Sequence, residues 1–145
     1  MPFDVARFDE LIASFNRRVM DVPDGLFARD ARFSLNGATF ESMLGQREDE
    51  PLVRMIARGT AAYRFAAKPL LHAFDAVLVS RLDCQQEGSR VRIRLTLRGT
   101  LRGTGDLLDE LVDVDMAVAP EGAVERTDVA IGERALAQIK RARNG

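Results

Sequence analysis

Two alternating stretches joined by a glycine-rich turn constrain the fold of this chain more than any other feature. Apolar and polar residues alternate over 90–98 and again over 112–118, and three glycines lie between the two stretches. Because alternate side chains of a strand point to the same face, each stretch is predicted to be a strand with one apolar face. A turn at Thr104–Gly105 would join them as an antiparallel hairpin.

The charged residues of this hairpin predict its register. With the turn at Thr104–Gly105, Leu97 faces Val112 on the apolar side and Arg94 faces Asp115 on the other side. A shift of one residue would set apolar side chains against charged ones along the whole pair. We therefore expect an apolar inner face that covers a core, and an outer face of paired arginines and aspartates. Because the aspartates neutralise the arginines, this outer face is not expected to bind nucleic acid.

The length, charge and cysteine content exclude several protein classes. A chain of 145 residues is expected to form a single domain over residues 1–145. Its formal net charge of −1 provides no general attraction to nucleic acid or to an acidic membrane. No signal peptide or membrane-spanning stretch is recognisable, and the single cysteine, Cys84, permits no internal disulfide. These features predict a cytoplasmic protein with no membrane partner and no nucleic-acid partner.

Helical periodicity occurs on both sides of the predicted hairpin. Apolar residues at helical spacing predict an amphipathic helix over Asp4–Met20, with Asp4 as its N-cap. A second helix is expected to begin at Pro51 and to end before Lys68–Pro69, since a proline disfavours helix at the residue that precedes it. A short third helix is predicted over 133–143.

Two further regions are predicted to be extended. Asn36–Gly37 predicts a tight hairpin, because both residue types tolerate the positive φ that its turn requires. This hairpin sets Phe33 opposite Phe40. A last strand is expected over 123–131, although the alternation there does not determine its register.

The order of these elements and the stretch Leu26–Phe33, which reads Leu-Phe-Ala-Arg-Asp-Ala-Arg-Phe, resemble the nuclear transport factor 2-like superfamily. The resemblance implies an α+β fold in which a curved, mostly antiparallel sheet wraps around a long N-terminal helix. Proteins of this cystatin-like cone include SnoaL-like polyketide cyclases, ketosteroid isomerase and non-catalytic binding domains, so the fold implies no single function. The resemblance also implies a homodimer through the outer face of the sheet.

A long strand over Leu71–Cys84 is expected to pair with the first strand of the central hairpin. A turn at Gln86–Glu87 sets the register of this pair. The outer face then holds Val77 and Val79, which would suit a dimer interface. The inner face holds His72, Phe74, Ala76, Leu78, Ser80 and Leu82.

His72 and Glu110 are the ionisable residues on the predicted inner face. Desolvation raises the pKa of a carboxyl group in apolar surroundings, and a neighbouring histidine favours the charged carboxylate. A His–Glu pair beside an apolar cavity is therefore a candidate general acid and base. Gly99 would leave space between Phe74 and Glu110. In the alternative interpretation, both ionisable residues lie at the rim in contact with solvent.

The candidate ligand contacts are Tyr63, Phe74 and Leu101. Tyr63 follows the apolar side of the second helix, so its hydroxyl would donate a hydrogen bond to a ligand oxygen. Alternatively, its ring packs in the core and its hydroxyl is bonded at the rim. One histidine and one cysteine do not make a structural zinc site, and the chain has no phosphate-binding loop or nucleophile elbow. No metal or cofactor is therefore expected.

These predictions leave three functions open. The first is a homodimeric domain that binds a small apolar ligand in a pocket between the sheet and the helices. The second, implied by the resemblance, is a cofactor-free lyase or isomerase of the polyketide cyclase or ketosteroid isomerase type. The third is a non-catalytic dimerisation or protein-interaction module.

Overall fold

The computed structural model of the chain describes residues 3–43 and 57–144. The second helix was predicted to begin at Pro51, which lies outside these residues. In chain order the elements are α1 (Val5–Asn16), β1 (Phe27–Leu35), β2 (Ala38–Thr39), α2 (Phe40–Met43), α3 (Gly59–His72), β3 (Phe74–Glu87), β4 (Arg90–Leu101), β5 (Leu107–Val118), β6 (Val124–Ala130) and α4 (Glu133–Asn144).

The six strands form one curved sheet in the order β2, β1, β6, β5, β4, β3. β1 and β6 pair in parallel, and all other neighbours in the sheet are antiparallel. The helices α1 and α4 pack their apolar sides against the inner face, where Phe8, Leu11, Ala135 and Ile139 are buried with the apolar residues of β4 and β5. The predicted α+β class and the mostly antiparallel sheet are confirmed.

The N-terminal helix begins where the sequence predicted and ends earlier. The Asp4 side chain accepts a 3.1 Å hydrogen bond from the Ala6 backbone N–H, so Asp4 is the N-cap of α1. The helix ends at Asn16 rather than Met20. Arg18 has a φ of 63°, a left-handed conformation that is incompatible with continued helix.

The helix α3 continues past the point where it was predicted to end. It includes Pro69 and ends at His72, so the predicted end before Lys68–Pro69 is wrong. Leu71 is buried beside Phe15, and the Arg18 guanidinium donates a 2.7 Å hydrogen bond to the Leu71 carbonyl. These contacts stabilise the last turn of the helix in spite of the backbone N–H that the proline lacks.

β4 and β5 pair two residues away from the predicted register. Leu97 faces Glu110 rather than Val112, and Arg94 faces Asp113. The turn is therefore centred one residue earlier in the chain than expected. A shift of two residues keeps every side chain on its face. The apolar inner face and the charged outer face are therefore confirmed, while the individual pairs are not.

β3 contains two bulges that change which of its side chains face the core. The turn before β4 closes at the pair Glu87–Arg90, two residues later than predicted. Leu82 is an extra residue between the pairs Arg81–Leu95 and Asp83–Arg94, and Asp75 is a second extra residue near the start of the strand. Each extra residue reverses the alternation of faces along the strand.

The predicted inner face of β3 is therefore wrong over most of its length. Between the two bulges, Val77 and Val79 pack against the core instead of facing outward. Phe74, which precedes the bulge at Asp75, is fully buried on the inner face, as predicted. Four residues predicted to lie inside are exposed on the outer face: Ala76, Leu78, Ser80 and Leu82.

The free edge of β3 is covered by side chains from α1. The Asn16 amide donates a 2.9 Å hydrogen bond to the Val79 carbonyl and accepts one of 2.8 Å from the Val79 N–H. Arg81 also forms a 2.7 Å ion pair with Asp9. Asn16 therefore replaces a neighbouring strand at this position, which fixes α1 along the sheet and blocks the edge from pairing with another chain.

Candidate ligand site

The structure places His72 on a helix rather than on a strand. His72 is the last residue of α3, and its side chain is exposed to solvent. The strand begins only at Phe74, because the helix continues through Pro69. The predicted position of His72 on the inner face is therefore wrong, and the structure does not place it on a strand near Glu110.

Glu110 lies on the inner face of β5, as predicted, between the buried residues Leu108 and Val112. Its side chain is half-buried. A Cβ atom added to Gly132 would lie 3.6 Å from the Glu110 Oε2 atom. Glu110 therefore faces the backbone that leads into α4, and it remains available to solvent on one side.

The space predicted beside Gly99 is filled by the Phe74 ring. A Cβ atom added to Gly99 would lie 2.6 Å from the Phe74 Cδ1 atom and 2.7 Å from the Ala76 carbonyl oxygen. Leu101 is only 2% exposed, and it borders a crevice of about 230 Å³ beside Gln138 of α4. Phe74 and Leu101 are therefore core residues in this structure, and neither lines an open cavity beside Gly99.

Four aromatic side chains from β1, α2 and α3 pack together. We call them the aromatic cluster: Phe27, Phe33, Phe40 and Tyr63. The Phe27 ring centre lies 5.2 Å from that of Phe33 and 6.0 Å from that of Tyr63. Phe33 stacks on Phe40 at 5.5 Å, which bears out the contact predicted from the Asn36–Gly37 hairpin. Phe27 and Tyr63 are half-buried, so the cluster is accessible from solvent on one side.

Tyr63 brings a polar group into this apolar cluster. Burial raises the pKa of its hydroxyl to about 12, because desolvation penalises the charged phenolate. No hydrogen bond joins the Tyr63 side chain to another described residue, and its hydroxyl is not among the fully buried atoms without a partner, so it reaches solvent. Its hydroxyl is thus a protonated donor at neutral pH with no protein acceptor in those ranges.

Thr127 is a second polar group on the inner face, and the sequence did not reveal it. Its register partners are Phe33 on β1 and Met116 on β5, both of which are buried. Thr127 is 6% exposed, and within residues 3–43 and 57–144 its Oγ1 atom has no hydrogen-bond partner. A buried hydroxyl without a partner costs about 1–3 kcal/mol. Because the register of the last strand could not be predicted, the neighbours of Thr127 were not foreseeable.

The outer face carries the predicted rows of opposite charge. Arg90 pairs with Asp115 at 2.6 Å and Arg94 with Asp113 at 2.8 Å. Hydrogen bonding to Arg90 lowers the pKa of Asp115. The same face has a groove of about 890 Å³, and Arg94, Asp113 and Asp115 are among the residues that line it. Its charges are largely satisfied within the protein, which makes it a weaker ligand site than the aromatic cluster.

Four leucines are exposed on the outer face, two on β3 and two on β5. Leu78 is 54%, Leu82 57%, Leu107 84% and Leu111 51% exposed. Arg98 pairs with Asp109 among them, at 3.2 Å. Large exposed apolar side chains grouped on one face are typical of protein interfaces.

Neither a family model nor a curated protein matches the sequence. Solved structures do match it. TerC, co-crystallised with polyporic acid, has a TM-score of 0.67 at 12% identity, over 94% of this chain and 97% of TerC. A proposed SnoaL-like polyketide cyclase from Jannaschia sp. CCS1 has a TM-score of 0.64 at 14% identity, over 96% of this chain and 94% of that one.

A third structure comes from Exiguobacterium sp. 255-15 and is a nuclear transport factor 2-like protein of unknown function. It has a TM-score of 0.54 at 15% identity, over 90% of this chain and 86% of that one. This chain has the nuclear transport factor 2-like fold. The resemblance noted in the sequence is confirmed at the level of the fold, which is all that identities this low can show.

The nuclear transport factor 2-like fold brings Tyr63 of α3 and Thr127 of β6 to one end of the inner face.

Over residues 3–43 and 57–144, no three histidine, cysteine or acidic side chains are grouped to hold a metal ion. In the same ranges, no helix has the length and apolar character needed to cross a bilayer.

Proposed function

We propose that this protein binds a small aromatic molecule with oxygen substituents, at the aromatic cluster on the inner face of the sheet. The observation that carries this proposal is the half-buried Tyr63 hydroxyl, which reaches solvent beside aromatic rings and has no acceptor among the described residues. Two proteins of similar fold support the ligand class. TerC was co-crystallised with polyporic acid, and the Jannaschia protein is a proposed polyketide cyclase.

The chemistry of the cluster suits such a ligand. The half-buried Phe27 ring offers an accessible surface to an aromatic ring, and the buried Phe33 ring packs against Phe27. Tyr63 supplies a donor for a carbonyl or phenolate oxygen, and its raised pKa keeps the proton on the tyrosine. A bound ligand would shield this hydroxyl from solvent, and a hydrogen bond in such shielded surroundings is stronger than in water.

Calorimetric titration with polyporic acid tests the proposal. We expect the unmodified protein to bind it and Tyr63→Phe to bind it about tenfold more weakly, since the hydrogen bond between the ligand oxygen and the Tyr63 hydroxyl is lost. Phe65→Leu is the matched control, because Phe65 lies on the same helix and is 43% exposed. No binding by the unmodified protein would contradict the proposal. Equal weakening in both variants would contradict the role of Tyr63.

We also propose that two copies associate through the outer face. The four exposed leucines supply an apolar patch, and the neighbouring pair Arg98–Asp109 offers both charges to a second copy. A face of this kind is self-complementary under a two-fold axis. Sedimentation velocity should show a dimer for the unmodified protein and a monomer for the Leu78→Lys, Leu111→Lys double variant. Val19→Lys, at a position 40% exposed after α1, should remain dimeric. A monomeric unmodified protein would contradict this proposal.

A cofactor-free lyase or isomerase is the second candidate function. Glu110 favours it, because this carboxylate lies on the inner face beside apolar residues and is reachable from solvent. Glu110 would act as the base, and His72 would assist only if the substrate extends to the end of α3. Turnover of polyporic acid, followed by mass spectrometry, should then be lost in Glu110→Gln while binding is kept. Product formation that is unchanged in the His72→Ala, Glu110→Ala double variant would exclude this site.

A further inference from the structure

Thr127 interrupts a row of buried apolar side chains that crosses four strands. Residues directly opposite one another on neighbouring strands point to the same face. Phe33, Thr127, Met116 and Val91 are paired in this way across β1, β6, β5 and β4. The three apolar members of the row are 0–5% exposed. A valine at position 127 would have the same shape as threonine and no hydroxyl to satisfy.

The buried hydroxyl of Thr127 differs from the other buried polar side chains of the described chain. Ser34 donates a 2.5 Å hydrogen bond to Asp128, and Ser14 accepts one of 3.4 Å from Arg17. Thr127 Oγ1 has no hydrogen-bond partner among the described residues. Buried polar groups in proteins are nearly always hydrogen-bonded, so an unpartnered one calls for a ligand or another explanation.

We propose that Thr127 Oγ1 is a buried hydrogen-bonding contact for a ligand oxygen, a proposal that rests on the function proposed above. The aromatic cluster connects it to Tyr63: Thr127 lies beside Phe33, and the Phe27 ring contacts both Phe33 and Tyr63. The buried Thr127 hydroxyl and the half-buried Tyr63 hydroxyl, neither bonded to another described residue, therefore flank the same aromatic rings. The ligand class that satisfies both is an aromatic molecule with two separate oxygen substituents, such as a quinone or a diphenol. A threonine hydroxyl can donate to a carbonyl or accept from a phenol.

This assignment predicts opposite effects of Thr127→Val on stability and on binding. Removing an unpartnered buried hydroxyl should stabilise the protein without ligand, with a rise in Tm of about 2–4 °C. The same change should weaken polyporic acid binding about tenfold, because the ligand oxygen loses its partner. Thr127→Ser keeps the hydroxyl and should keep most of the affinity. A residue with a purely structural role would not separate the two measurements in this way.

The experiment is thermal unfolding without ligand and calorimetry with polyporic acid, on the full chain and the two Thr127 variants. Thr96→Val is the matched control, because Thr96 lies on β4 among residues of the outer face, and it should leave affinity unchanged. Equal affinity of Thr127→Val and the unmodified protein would overturn the assignment of Thr127 alone. A fall in Tm would also overturn it, since the hydroxyl would then have a stabilising partner. No binding by the unmodified protein would overturn the proposed function, whatever the Tm of the variants.

Discussion

Gly99 shows at the scale of one residue how closely the inner face is packed. A Cβ atom there would meet the Phe74 ring at 2.6 Å and a backbone oxygen at 2.7 Å. We expect Gly99→Ala to lower the free energy of unfolding by about 1–3 kcal/mol, because overpacking forces the neighbouring strand to move. Gly132→Ala is the control, since its nearest contact would be an ordinary 3.6 Å, and it should change stability by less than about 0.5 kcal/mol. If urea denaturation gives the two variants similar free energies of unfolding, this packing is contradicted.

Tyr63 makes stability depend on pH in the alkaline range. Its folded pKa of about 12 lies above the ordinary value of 10.0. Between these two values the unfolded chain loses the phenol proton and the folded protein keeps it, so the free energy of unfolding should fall as pH rises. Tyr63→Phe should lack this part of the fall. Because Tyr63 is the only tyrosine, an absorbance titration reports it directly, and a folded-state midpoint near 10 would contradict its burial.

Single residues were predictable where their chemistry acts locally. Asp4 caps the helix that follows it, and Asn36–Gly37 forms the expected turn with positive φ at both positions. Thr127 was not predictable, because its neighbours come from strands far apart in the chain. Glu110 was placed on the correct face because alternation alone determines it, whereas its partner His72 was misplaced by the wrong end of a helix.

At the scale of elements, β3 shows the limit of alternation as a guide. The faces of β4 and β5 were predicted correctly because regular alternation runs through both strands. β3 contains extra residues at Leu82 and Asp75, each of which reverses the faces beyond it. Nothing in the apolar pattern of 71–84 indicates such bulges, since leucine and valine occur at both even and odd positions. Only the pairing with β4 reveals them.

The edge of β3 depends on one side chain of α1. Asn16→Ala removes both hydrogen bonds to Val79 and should lower the free energy of unfolding by about 1–3 kcal/mol. Arg7→Ala is the control, because the exposed Arg7–Asp4 pair should contribute less than about 1 kcal/mol. Hydrogen exchange of the Val79 amide should accelerate in Asn16→Ala alone. Unchanged exchange there would show that α1 does not protect this edge.

At the scale of the whole molecule, the apolar face rather than the charged face holds the fold together. Ile93 and Arg94 are adjacent on β4 and point to opposite faces. Ile93→Ala should cost about 2–5 kcal/mol, because the buried side chain leaves a cavity. Arg94→Ala should cost much less, because its ion pair with Asp113 is exposed to solvent. If urea denaturation shows that both variants lose the same free energy of unfolding, the apolar face does not dominate stability. The fold was predictable from sequence for the same reason, since the apolar pattern determines it.

A crystal structure of the protein with polyporic acid would locate the bound ligand directly. We expect the ligand on the inner face, at the aromatic cluster. One ligand oxygen should lie at about 2.6–3.2 Å from the Tyr63 hydroxyl, and a second should lie at Thr127 Oγ1. A ligand bound instead in the groove of the outer face, between the arginine and aspartate rows, would contradict this binding site.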